Sequence, residues 1–155
     1  MHASWRHHEF EFEVSTDPAR IDAGVVHRFL TTSCWAAGIP IEVVERALRH
    51  SLCFGLFAGA EQIGFARVVT DRATFAYLCV AHVLEAWRGR GRGRWLMRGV
   101  WSHPDLQGLR RCGLVTRDTH TLYAPAGFTA LAHPNRHMEK LDPDVYKRAA
   151  ARGHS

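Results

Sequence analysis

A chain of 155 residues fits one domain, since domains run about 100 to 200 residues, and its 46% hydrophobic, 10% aromatic and 23% charged residues exclude a disordered or fibrous protein. The scaling of surface with size lets such a chain bury roughly two thirds of its surface, so neither disulfides nor a structural metal is required. The formal charge is +5 and all but two of the 20 basic residues are arginine, the exceptions being Lys140 and Lys147; guanidinium forks in such number suit an anionic partner, or simply coat a solvated surface.

Glu9 to Val14 alternates acidic and apolar side chains, the period of a strand with one wet face, and predicts an opening edge strand. Asp17-Pro18 then starts a helix, with Asp17 as N-cap and Pro18 at the first helical position, and Ile21, Val25, Val26, Phe29 and Leu30 carry it to about Thr32. Gly38-Ile39-Pro40 interrupts the chain. Ile41, Val44, Ala47 and Leu48 form the stripe of a second helix. Leu52 to Phe57 and Gln62 to Thr70 flank a short segment with Gly59 and read as a hairpin, with Asp71-Arg72 as the next turn. Thr74 to Leu84 is nearly all apolar and reads as a central strand buried on both faces. Gly91 to Trp101 has helical spacing at Trp95, Leu96 and Val100, and His103-Pro104 stops it. Gly113 to Thr116 predicts a short strand, Asp118 to Tyr123 a short helix capped by Asp118, and Phe128 to Ala132 with Arg136 to Leu141 a last pair of strands. From Asp142 the composition turns polar, so residues 142–155 are expected to form a loosely held tail on a core of about residues 9–141. The order predicts a single α/β domain over 1–155 with one central mixed sheet.

The chemistry concentrates in Val83-Leu84-Glu85-Ala86-Trp87-Arg88-Gly89-Arg90-Gly91-Arg92-Gly93-Arg94, where a buried strand delivers a glycine-alternating loop into a helix. Glycines turn sharply and leave their N–H groups unshielded, and the helix that follows adds unpaired amides and the positive end of its dipole. The result is an anion cradle, and Arg88, Arg90, Arg92, Arg94 and Arg98 make it suit a pyrophosphate better than a single carboxylate. A Walker loop would need a lysine, which is absent here, and the dinucleotide fingerprint would need glycine where Arg94 stands. What fits is Arg-x-x-Gly-x-Gly at Arg88, Gly91 and Gly93.

That element, with Leu122-Tyr123-Ala124-Pro125-Ala126-Gly127-Phe128 downstream, resembles the GNAT superfamily of acyl-CoA N-acyltransferases. The stretch Phe65 to Asp71, with Thr116-Arg117-Asp118 and His120, is similar to a bacterial subgroup of that family. The resemblance implies a single mixed, mostly antiparallel sheet flanked by helices, with acetyl-CoA as co-substrate and an amine as acceptor, a small metabolite first and a protein or peptide amine second. It implies that Gly89 to Arg94 hold the pyrophosphate, that the backbone of Ala81, His82 and Val83 pairs with the pantetheine arm, and that Tyr123 is the general acid for the departing thiolate. Where related sequences often carry an acidic residue this chain has Val80, so the general base stays open among His82, Glu85, Asp118, His120 and a chain of waters. Many relatives form homodimers, but no segment here shows how.

Cys34, Cys53, Cys79 and Cys112 lie far apart and read as core thiols of a reducing compartment. The histidines make no ligand pattern, so no metal is expected. The strongest apolar run, Ala73 to Leu84, is far short of the about 20 residues that cross a bilayer, and Met1 to His8 leads into no signal core. The expectation is a cytoplasmic enzyme off the membrane. Two rivals remain: a nucleic-acid-binding module using the Arg-Gly loop, and a protein of the same fold that binds acyl-CoA without catalysis.

Overall fold

The hairpin expected around Gly59 forms, and it is the middle of the sheet. The computed structural model describes residues 2–6, 12–117 and 119–152. Its six strands, β1 (Ser4–Arg6), β2 (Phe12–Ser15), β3 (Leu52–Ala58), β4 (Glu61–Thr70), β5 (Phe75–Val83) and β6 (Arg111–Leu114), lie side by side in chain order. The first four pairings are antiparallel and only β5 with β6 is parallel. The exception follows from the connection, because a helix crossover between them, α3 (Arg92–Trp101), returns the chain in the same direction.

Helices cover both faces. Leu96, Met97 and Val100 of α3 join Val14, Phe54, Leu56, Ala76 and Leu78 in one buried cluster, and each such aliphatic, fully buried, contributes about 1.5–3 kcal/mol. The close approach depends on Gly99, where a Cβ would sit 3.1 Å from a Val14 methyl. On the opposite face α1 (Ala23–Thr31) and α2 (Ile41–Arg49) bury Val26, Leu30 and Val44 against Cys53, Phe65 and Val80. The register of β5 slips between Arg67 and Val68, which leaves Cys79 as an extra residue. This bulge reverses the faces of the strand. Leu78 therefore packs with α3 and Val80 with α1 and α2.

Several expectations are corrected. The opening strand begins at Phe12, with Glu9, Phe10 and Glu11 outside the described residues, and β1 rather than β2 holds the edge. The helix expected from Pro18 to Thr32 breaks in two. Asp17 caps only a 3₁₀ turn, Pro18–Arg20, whereas Asp22 caps α1 through Gly24 N (2.8 Å) and Val25 N (3.3 Å), two caps competing within six residues. β5 is only partly buried: Ala76 and Leu78 are buried on the α3 face and Val80 on the α1–α2 face, while Phe75 and Ala81 at its two ends are exposed. The short strand is Arg111–Leu114, two residues earlier than expected. The short helix α4 (His120–Tyr123) has Thr119 at its N-cap position, with Asp118 outside the described residues. The closing strand pair is absent among the described residues: 128–141 is irregular, with one 3₁₀ turn, Pro134–Arg136, and Leu131, Met138 and Leu141 are exposed. Alternating apolar residues make a strand only where a neighbour takes their hydrogen bonds. Finally, the polar tail contains α5 (Val145–Arg152), and Tyr146 packs against the α1–α2 cluster.

Candidate active site

The loop between β5 and α3 has the backbone of a cradle. Gly89, Arg90 and Gly91 lie in succession at φ +92°, +55° and +75°. For Arg90 this is the sparsely populated left-handed region, held by its glycine neighbours. The amides of Gly89, Arg90, Gly91, Gly93 and Arg94 donate no hydrogen bond among the described residues, while Arg92 N reaches Gly89 O at 3.4 Å and Trp95 N reaches Gly91 O at 2.9 Å. A Cβ on Gly89, Gly91 or Gly93 would meet nothing within 4 Å, so the concave side is open. Arg90, Arg94 and Arg98 are exposed around it. Arg92 is not free in the same way. Its Nη1 donates to Trp87 O (2.8 Å) and its guanidinium lies over the Phe12 and Trp87 rings at 4.7 and 5.3 Å. Its charge supports the loop from behind while its backbone takes part in the turn.

Beside the cradle the sheet splits. β4 and β5 stay paired to Gly64 and Val83, but β5 and β6 stop at Leu78 and Leu114, so residues 79–83 keep an open outer edge. The bond from Leu84 N–H to Ile63 O (2.8 Å) sets the phase of the ladder. Antiparallel pairing alternates, so Ala81 and Val83 turn their backbone groups outward, whereas those of His82 face β4. Arg88 Nε donates to Val83 O at 3.0 Å and ties the cradle to this edge. Of the three residues whose backbone is expected to pair with a pantetheine arm, Ala81 and Val83 turn their main chain to the open edge, whereas that of His82 is turned to β4.

The bulge at Cys79 sends that imidazole toward α1, where it stacks on Phe29 with ring centroids 3.4 Å apart and planes 13° apart. Burial, with the Arg88 charge, pulls its pKa down to about 4, so the ring is neutral near pH 7. It borders a cavity of about 550 Å³ with Arg28, Phe29, Gln62 and Asp22. In the sequence Phe29 reads only as helix packing, and Arg28 and Gln62 belong to no motif. No local spacing could have found them, since the bulge and α1 bring them to His82.

The other candidates for base are dispersed. Glu85 and His120 are exposed, Asp118 lies outside the described residues, and Val80 is buried in the α1–α2 cluster. Tyr123 sits on the α3 side, only 8% exposed, with its ring edge-on to Phe128 at 6.2 Å. Burial raises its pKa, opposed by a hydrogen bond with Thr119, so the phenol stays protonated at neutral pH. Between α3 and α4 runs a groove of about 960 Å³ bordered by Arg94, Arg98 and Leu122. The four cysteines are free, and burial pushes Cys53 up to about 12 and raises Cys79 and Cys112, which leaves these three without thiolate character. Among the described residues no group of His, Cys, Asp and Glu could hold a metal ion, and no helix is long and apolar enough to cross a membrane.

A family model described as the acetyltransferase (GNAT) domain matches residues 49–130, which contain the cradle, the open strand edge and Tyr123. A Gibberella zeae protein assigned as an acetyltransferase is 33% identical over 136 residues, with 73% of this chain and 76% of that protein covered. A crystal structure from Xanthomonas campestris pv. campestris, assigned to the GNAT family, is 48% identical, superposes with a TM-score of 0.85, and covers 92% of this chain and 99% of its own. A Deinococcus radiodurans structure at 20% identity and a TM-score of 0.67, covering 90% and 92%, shares the fold. With an open glycine turn on a split mixed sheet and these relatives, the chain belongs to the GNAT acetyltransferases and is an acyltransferase.

Proposed function

We propose that the protein moves an acetyl group from acetyl-CoA to a primary amine by direct attack in a ternary complex. The observation that carries this reading is the run of five unpartnered amides at residues 89, 90, 91, 93 and 94 on an open concave turn. Such a nest is suited to the diphosphate of CoA, with Arg90 and Arg94 adding charge-assisted donors. Ala81 and Val83 offer outward N–H and C=O groups to an extended arm lying in the split, and an amide on this edge can donate to the thioester oxygen as it gains charge. The groove bordered by Arg94 and Arg98 takes the remainder of the nucleotide.

In the transfer, the amine nitrogen bonds to the carbonyl carbon, the carbon–sulfur bond breaks, Tyr123 gives its phenolic proton to the sulfur, and His82 takes the proton the nitrogen loses. Both groups return to their starting states through solvent. His82 has this role because it is the one candidate base among the described residues that borders a cavity at the end of β5. The three buried, raised thiols favour direct transfer over an acyl-cysteine route.

Calorimetry with CoA and thiol release with an amine panel test this reading. Tyr123→Phe is expected to lower kcat by roughly 100-fold with CoA affinity unchanged, as for loss of a general acid. His82→Gln is expected to lower kcat by about tenfold or more, again without an effect on CoA. Salt-sensitive RNA binding without thiol release would favour the nucleic-acid module, and CoA binding without turnover the non-catalytic protein. A single domain in the cytoplasm is part of the same proposal.

A further inference from the structure

The cavity at His82 has a charged wall. It lies between the start of α1, the β3–β4 turn and the end of β5, away from the cradle face. Four charged side chains line it, and two are already engaged. Arg20 is paired with Glu13 (2.8 Å), and Asp22 accepts from the first amides of α1. The other two, Arg28 and Glu61, have no ion-pair partner among the described residues, and both are exposed. Gln62 is 5% exposed; its Oε1 accepts from Asp22 N (2.7 Å), and its Nε2 has no acceptor.

The space is large enough for a small metabolite, and Arg28 is the arginine of its wall without an ion-pair partner among the described residues. Arg28 supplies a planar fork matched to a carboxylate. Phe29 and the neutral His82 ring, stacked on each other, line the same cavity at the end of β5. Glu61 at the rim disfavours an acceptor of more than one negative charge.

We infer that the acceptor is a primary amine bearing one carboxylate, held through Arg28 with its amine directed at His82. This rests on the acetyl-transfer reading above and names the acceptor class for it. In the reaction the carboxylate stays ionised and unchanged, and bond making and breaking are those already given.

The test uses the full chain, acetyl-CoA and three matched pairs of amines: phenylalanine with phenethylamine, 4-aminobutyrate with butylamine, and lysine with cadaverine. At least one carboxylate-bearing member is expected to turn over with a KM about tenfold or more below that of its partner, the scale of one charge-assisted contact. Arg28→Glu is expected to raise that KM by a further tenfold or more with kcat within about twofold, while Arg28→Lys recovers most of the loss. CoA affinity by calorimetry is expected to stay unchanged in both variants. Equal KM within every pair, preference for the carboxylate-free amines, or no turnover of any of the six while CoA binds would each overturn the inference. Absence of CoA binding would remove the acetyl-transfer reading, and this inference with it.

Discussion

Two turns of this molecule use the same backbone device to opposite ends. After β4 the chain turns through Arg72 at φ +63°, and after β5 through Arg90 at φ +55°, the two non-glycine residues in the left-handed region among those described. At the first turn Asp71 fills the hollow itself. Its carboxylate accepts from the amides of Ala73, Thr74 and Phe75 and from the Thr74 hydroxyl, while Thr70 Oγ1 takes Arg72 N. The Thr74 hydroxyl and then these amides hold the Asp71 carboxyl well below the usual carboxylate range. At the second turn every side chain that could do this is missing: glycine and arginine alternate, and five amides stay open. A turn that ends a strand satisfies its own donors, whereas a turn that binds an anion must leave them for the ligand.

The sharpest way to break this contrast is to give the second turn an internal carboxylate. Gly93→Asp adds a side chain where a Cβ meets nothing within 4 Å and φ is ordinary, so the fold should survive. CoA affinity, read by calorimetry, is expected to fall on the order of 100-fold, from filled amides and charge repulsion together. Removing the arginine instead should do less. Arg90→Gly relieves the left-handed conformation but frees the unfolded chain, terms of about 1 kcal/mol each that oppose one another, so unfolding should hardly change. CoA affinity should drop a few-fold at low salt and less at high salt, as screening predicts.

The converse experiment opens the first turn. Asp71→Ala exposes three amides and should lower the midpoint of urea unfolding, with CoA affinity unaffected. Retained stability would mean that the carboxylate is dispensable there. The smallest effect concerns pH. His82 carries a pKa of about 4 in the fold against an ordinary 6.5, so the unfolded chain binds more protons between those values. Stability contributed by the neutral ring is present above about pH 6.5 and is lost as pH falls toward 4. A thermal-unfolding series should show this slope in the wild type and a shallower one in His82→Gln, the remainder coming from His103, whose pKa burial also lowers, and toward pH 4 from the carboxyls of Glu13 and Asp71, which are held below their ordinary values.

Much of the site was legible because its elements are local. The cradle is one uninterrupted segment, and glycine spacing with a strand before and a helix after declares an open loop without reference to the rest of the chain. The hairpin at Gly59 and helix α2 are local in the same sense. The break in the helix after Pro18 was not, because Asp17 and Asp22 are both competent caps and Gln62, from another strand, holds the second one. The strand pair expected over 128–141 failed for a related reason, since alternation describes a face and no neighbour in the chain covers it.

The sequence alone determined which amides stay open, since their exposure in residues 89–94 depends on glycines and on the absence of any internal carboxylate. Tertiary structure alone decided what stands opposite. One extra residue at Cys79 turns His82 from the α3 face to the α1 face, and there Phe29, Arg28 and Gln62 meet it. A strand's side chains alternate with a period of two, so a one-residue bulge, set by pairing with a neighbour, chooses the face.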